Sequence, residues 1–204
     1  MKYLVAVPCM DMLQTPFVCS LLAMPLFQNT EITFGANSLI YDTRNQLAEK
    51  AINAGIDRIL WLDSDMTFKP DLAQRLAARM DEGCEYVSGL YMTRKRPIKP
   101  TIFRTLTAEP PKAESYDDYP KDQLFEIAGS GFGGVMMTTD LIKHVGDVFG
   151  LPFSPILGLG EDLSFCLRAA ALGHKMYCDS SVKMGHIAFM DITEDTFLRG
   201  TLNE

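Results

Sequence analysis

The chain has 204 residues, with 19 Lys and Arg against 26 Asp and Glu, a net charge of -7 and a pI near 5.0. At 47% hydrophobic and 22% charged residues the composition is that of a globular protein, which excludes a disordered chain, and the acidic balance argues against non-specific wrapping of a long nucleic acid. The longest apolar runs, such as Leu4–Val7, are too short to cross a bilayer, and the N-terminus lacks the apolar length of a signal peptide. The expectation is a cytoplasmic protein with no transmembrane segment, built as one domain over 1–204. Five cysteines (Cys9, Cys19, Cys84, Cys166, Cys178) form no CxxC pair and lie among apolar residues, which predicts buried free thiols.

In chain order, Leu4–Pro8 reads as a short buried strand ended by proline. Thr15–Phe27 reads as a helix with Pro16 at a tolerated early position. Glu31–Phe34 is a second strand. Ile40–Ala54 carries Leu47, Ala48, Ala51 and Ile52 at helical spacing and stops at Gly55. Asp57–Leu62 is a third strand, Pro70–Met80 a helix closing at Gly83, and Glu85–Leu90 a fourth strand. This alternation predicts an α/β fold, with a mostly parallel sheet and helices on both faces.

Residues 93–123 break the pattern. The stretch opens with Arg94, Lys95 and Arg96 and carries prolines at 97, 100, 110, 111 and 120. It reads as a long excursion, a short hairpin plus a mobile loop, either a solvated connection or a lid or acceptor segment. Beyond it, Leu124–Ala128 and Gly134–Met137 read as strands around a glycine cluster, Glu161–Leu172 as a helix ended by Gly173, and Lys175–Cys178 and Val182–Met184 as two short strands. No repeat or interdomain linker is present.

Asp63-Ser64-Asp65 directly follows the apolar strand Ile59–Leu62. Ligands of open parallel sheets sit beyond the carboxyl ends of the strands. Two carboxylates there suit a hard divalent cation, Mg²⁺ or Mn²⁺, that completes its shell with phosphates and water. An ordinary acidic turn is the other reading. Gly158-Leu-Gly160-Glu161-Asp162 leads into a helix, where acids either complement the macrodipole or present a general base to a hydroxyl. His186 follows Gly185, which permits close backbone approach. His144, on a helix, and His174 read as structural. Gly129-Ser-Gly131-Phe132-Gly133-Gly134 matches G-x-G-x-x-G, but a strand-like run follows it where a dinucleotide fingerprint needs a helix. A glycine bend lining a substrate pocket fits better.

Taken in order, these residues resemble the GT-A fold nucleotide-sugar glycosyltransferases, the family 2-like branch, from the first strand to about His186. Val5–Pro8 resembles the opening strand that leads to the nucleotide, Asp42-Thr-Arg44-Asn45 the Ala-Arg-Asn segment, Asp63-Ser-Asp65 the DxD, and Gly160-Glu161-Asp162 the motif that supplies the base. The resemblance implies nucleotide-sugar contacts from Pro8, Met10, Asn37, Arg44, Asp63 and Ser64. It implies a Mn²⁺ or Mg²⁺ ion held by Asp65 and His186, with Asp63 on the ribose or on the ion through water. It also implies Asp162 as general base with Glu161 as neighbour or substitute, and a pocket of Gly131, Phe132 and Gly133. The implied donor is a nucleoside-diphosphate sugar of the UDP or GDP type, transferred with inversion. The acceptor stays open: a glycan, a protein, a small molecule or a hydroxylated nucleobase. Family members often carry an aspartate after the second strand that reads the base; here that place is taken by Asn37.

Two further classes stand beside this reading. A nucleotidyltransferase would normally carry a glycine-rich basic loop after the first strand, where this chain has Pro8-Cys-Met-Asp-Met-Leu13. A non-catalytic nucleotide-sugar or glycan-binding module would not need Asp63, Asp65, Asp162 and His186 together.

Overall fold

The structure is a computed structural model that describes residues 1–36 and 39–189, so Asn37 lies outside the described residues. In chain order its elements are β1 (Tyr3–Cys9), α1 (Thr15–Ala23), β2 (Thr30–Ala36), α2 (Ile40–Asn53), β3 (Arg58–Leu62), β4 (Met66–Thr67), α3 (Leu72–Asp81) and β5 (Tyr86–Leu90). There follow β6 (Ile102–Ala108), β7 (Pro111–Ser115), β8 (Leu124–Ile127), β9 (Gly129–Ser130), β10 (Gly134–Thr138), α4 (Thr139–Phe149), α5 (Glu161–Ala171), β11 (Met176–Lys183) and β12 (Gly185–His186).

The central sheet has the order β2-β1-β3-β10-β5-β11-β8. β1 runs parallel to β2 and β3, and β11 parallel to β5, while β10 and β8 are antiparallel to their neighbours. Five of the seven strands therefore share one direction. This is the expected α/β fold, with its mostly parallel sheet interrupted by β10.

Successive strand residues point to opposite faces, and the core divides accordingly. Leu4, Ala6, Ile59, Trp61, Val135 and Met137 face one side, where Leu47, Ala48 and Ala51 of α2, Leu141 and Val145 of α4, and Phe165 and Ala169 of α5 cover them. Val5, Val7, Leu60, Leu62 and Met136 face the other, covered by Phe17 and Leu21 of α1 and Leu72, Leu76 and Met80 of α3. A strand buried on both faces is apolar throughout, which is why Ile59-Leu-Trp-Leu62 shows no alternation in sequence.

Several boundaries differ from the sequence reading for identifiable reasons. α1 ends at Ala23, because the residue before Pro25 is driven extended; Met24 has φ -82° and ψ 117°. The two strands expected at 175–184 are one, β11, whose register shifts between Asp179 and Lys183. The polar run Asp179-Ser180-Ser181 reads as a loop, yet Asp179 and Ser180 are buried and satisfied. Arg79 donates to Asp179 at 2.8 Å, and Ser180 donates to the Pro120 carbonyl at 2.7 Å. The cysteines correct another expectation. Cys84, Cys166 and Cys178 are buried, whereas Cys19 is exposed and Cys9 half-buried, because both lie where the chain faces solvent or the cavity described below; all five are free.

The 93–123 excursion contains the hairpin β6–β7, which adds β9 to form a second, three-stranded sheet. The glycine cluster joins β9 to β10 rather than a strand to a helix, so it does not make a dinucleotide fingerprint. Among the described residues no helix is long and apolar enough to cross a membrane.

Candidate active site

The carboxyl ends of β1, β3 and β5 open onto a cavity of about 840 Å³. Its wall brings together Pro8 and Met10 after β1, Arg44 on α2, Asp63, Ser64 and Asp65 after β3, Gly131, Glu161 and Asp162 at the start of α5, and His186. Two residues assigned to this pocket stand behind its wall instead. Phe132 is 1% exposed and packs edge-on to Phe153 and Phe165, and Gly133 uses its backbone to join Asp63 to Tyr91. Their neighbours demand this: a Cβ on Gly133 would lie 2.8 Å from the Tyr91 ring.

Asp63 and Asp65 leave β3 on a tight turn in which the Met66 N–H donates to the Asp63 carbonyl at 3.2 Å. The two carboxylates take different partners. Asp63 accepts from Arg44 Nη2 at 2.8 Å, and the same guanidinium donates through Nε to Glu161 at 3.1 Å. Arg44 is 2% exposed and its guanidinium lies over the rings of Trp61 and Phe132. Burial disfavours its charge, but Asp63 and Glu161 outweigh that and hold it protonated. Its Nη1, closed to solvent, has no partner among the described residues, which leaves one donor unused on a side chain that lines the cavity.

Asp65 meets His186, 121 positions along the chain, because β12 pairs antiparallel with β4, placing His186 opposite Met66. Gly185 is what permits this approach, since a Cβ there would collide with the Thr67 hydroxyl. His186 Nε2 lies 3.5 Å from Asp65 Oδ2. Its Nδ1 is 2.9 Å from the Met92 carbonyl, so Nδ1 carries the proton and Nε2 turns to the carboxylate. In the neutral ring, Nε2 and Oδ2 then point lone pairs at one place, an arrangement that a proton or a metal cation relieves. This donor set fits a divalent ion with two protein ligands. Among the described residues no larger group of His, Cys, Asp and Glu gathers, so substrate oxygens would have to complete the shell. Burial opposes ionisation of Asp65, but His186 and Arg94 outweigh it and hold its carboxyl below the usual range.

Asp162 is the opposite case. Burial first, and the neighbouring charge of Glu161 second, push its carboxyl up to about 6. Its Oδ1 accepts from the Leu163 N–H at 2.7 Å, folded back over the helix start. Glycine at 160 leaves that oxygen free, since a Cβ there would sit 2.8 Å from Oδ1 and push it aside. Gly131 leaves room for the Tyr91 hydroxyl, with which a Cβ there would collide, and lies in contact range of Asp162 Oδ2.

Sequence reasoning missed Tyr91. It packs edge-on to His186 with ring centroids 5.4 Å apart, and its hydroxyl accepts from the Gly133 N–H at 3.0 Å. Its signal was position: Tyr91 follows β5 as Asp63 follows β3. Arg94, which the sequence places in a basic run that either adds charge near a diphosphate or forms a solvated face, makes an ion pair with Asp65 at 2.7 Å. His144 and His174 lie away from the cavity, hydrogen-bonded to each other at 2.8 Å, with His174 also bonded to Glu85 at 2.7 Å.

Many solved structures share this fold. A197 from STIV superimposes with a TM-score of 0.63 at 18% identity, covering 94% of this chain and 87% of that one. GalNAc-T7, solved with UDP, GalNAc and Mn²⁺, gives a TM-score of 0.68 at 11% identity over 93% of this chain. The matched region is 44% of the GalNAc-T7 chain, so this protein spans less than half of that structure's length. No family model matches the sequence, and no curated protein matches it significantly. At these identities the likeness establishes a GT-A-like α/β fold.

Proposed function

We propose that this protein is a metal-dependent glycosyltransferase that moves a sugar from a nucleoside-diphosphate sugar to an acceptor hydroxyl with inversion. The observation that carries the reading is the convergence of Asp65 and His186 on one point of a cavity that also holds Asp162. The fold shared with GalNAc-T7, whose structure contains UDP, GalNAc and Mn²⁺, supports it.

Each residue has a role that follows from its surroundings. A divalent ion bound at Asp65 and His186 would supply Lewis-acid stabilisation of the leaving diphosphate. Asp63, held in place by Arg44, faces the nucleotide side of the cavity with Pro8, Met10 and Ser64. Asp162 takes the proton of the acceptor hydroxyl. A carboxylate with a pKa near 6 is still ionised at neutral pH and is a stronger base than an ordinary aspartate, and such a base typically contributes about 10²–10⁴-fold. Glu161, tied to Arg44, acts as the neighbour that raises Asp162. The cytoplasm is the proposed setting, with all five thiols free. The loop after β1 carries no lysine or arginine, so nothing there favours a nucleotidyltransferase.

The test is transfer from a panel of nucleoside-diphosphate sugars with Mn²⁺ present or chelated. The reading expects metal-dependent transfer that Asp162→Asn slows by about 10²-fold or more; full transfer by Asp65→Ala would contradict it.

A further inference from the structure

Asp65 Oδ2 has two close neighbours: Arg94 Nη1, which donates to it at 2.7 Å, and His186 Nε2 at 3.5 Å. That oxygen is the one a divalent ion on the Asp65–His186 pair would need. A guanidinium and a divalent cation compete for it, because two like charges a few ångströms apart repel.

Arg94 is mounted so that it can leave. Its side chain is 47% exposed, and it sits on a turn closed at its base rather than packed at its tip. The Thr93 N–H donates to the Lys99 carbonyl at 2.8 Å, and the Thr93 hydroxyl accepts from the Lys99 N–H at 3.1 Å. Below it, the Thr101 N–H donates to the Tyr91 carbonyl at 3.0 Å. The next two residues, Lys95 and Arg96, also line the cavity, and neither has a carboxylate partner among the described residues. A chain of net charge -7 thus presents three successive cations to one cavity, two of them without a carboxylate partner among the described residues.

We propose that Arg94 exchanges a carboxylate for a phosphate. In the free protein it neutralises Asp65; when a divalent ion takes Asp65, Arg94 is released and the Arg94-Lys95-Arg96 turn closes on the diphosphate that accompanies the ion. The turn is then a phosphate-binding element, and Arg94 couples its closure to occupancy of the metal site. This inference rests on the metal and diphosphate reading above.

The exchange predicts effects of opposite sign from one substitution. Calorimetric titration of the whole chain with MnCl₂ alone compares wild type, Arg94→Ala and Arg96→Ala. Removing a partly exposed competing ion pair tightens Mn²⁺ binding by about fivefold in Arg94→Ala. Arg96→Ala, which removes the same charge without touching Asp65, stays within about twofold of wild type. Titration with inorganic pyrophosphate at saturating Mn²⁺ reverses the order, both variants binding about tenfold more weakly than wild type. An Arg94→Ala variant with unchanged or absent Mn²⁺ binding overturns the exchange, and so does an equal gain in both variants, which would reflect the general field. If wild type binds no nucleoside diphosphate with Mn²⁺, the glycosyltransferase reading falls, while the MnCl₂ titration still decides the exchange at Asp65.

Discussion

Arg44 and Asp63 are joined by a 2.8 Å hydrogen bond whose donor is closed to water, with Trp61 and Phe132 facing the guanidinium at 5.4 and 5.2 Å. The same arginine holds Glu161. It therefore fixes the start of α5 relative to the turn after β3, and with it the relation of Asp162 to the rest of the cavity.

Replacing Arg44 removes the shared cation from two carboxylates and empties the space over two aromatic rings. Arg44→Ala is expected to cost about 3 kcal/mol in urea unfolding. Arg44→Lys recovers little, because an ammonium cannot donate in two directions from one plane or stack on a ring. A loss under about 1 kcal/mol in both variants would show that the buried pair is not what holds the site together.

Asp162 sets the pH dependence. With its carboxyl raised to about 6, kcat/KM should rise with pH through that value and level off above it. The effect on stability has the opposite direction. Between the ordinary value of 3.8 and about 6 the folded chain binds the extra proton, so this group's contribution to stability falls as pH rises through that window. At pH 7 the ionised Asp162 is a net cost. Asp162→Asn is expected to raise the unfolding free energy at pH 7, on the order of 2 kcal/mol, while lowering kcat by about 10²-fold or more. A variant that is less stable at pH 7 than wild type would contradict the burial argument.

Gly131 separates Tyr91 from Asp162. A methyl group there collides with the Tyr91 hydroxyl and lies 3.6 Å from Asp162 Oδ2. Gly131→Ala should therefore cost about 1–3 kcal/mol through the collision with Tyr91. Tyr91→Phe alone should cost about 1–3 kcal/mol, because it strands the buried Gly133 N–H. In the double variant the collision is gone, so the two losses should sum to more than the measured one in a double-mutant cycle. Strict additivity would place the strain of Gly131→Ala elsewhere.

The parts of this site that follow from local pattern were legible in the sequence. An apolar run ending in Asp63-Ser-Asp65 marks a strand end, and a glycine before two acids marks a helix start. The two-sided burial of β3 explains its unbroken hydrophobicity. What stayed hidden depends on contacts between distant residues. Asp179-Ser180-Ser181 reads as a loop because its polar groups find partners 57 to 106 residues away, which no window reveals. The antiparallel insertion of β10 among parallel strands is a choice of connection. Arg44 looked like a ligand-binding arginine; that two of its donors are held by Asp63 and Glu161 is visible only once α2, β3 and α5 are packed. Arg94 belonged to a basic run that equally describes a solvated face, and only its distance to Asp65 distinguishes it.

The central claim is that Asp65 and His186 bind a divalent ion together with a nucleoside diphosphate. It is tested most directly by calorimetry of wild type and Asp65→Ala with UDP, GDP, CDP and ADP, each with Mn²⁺ and with EDTA. The account predicts micromolar binding of one nucleotide by wild type that disappears both with EDTA and in Asp65→Ala. Equal binding in all four conditions, or none by wild type, would contradict it.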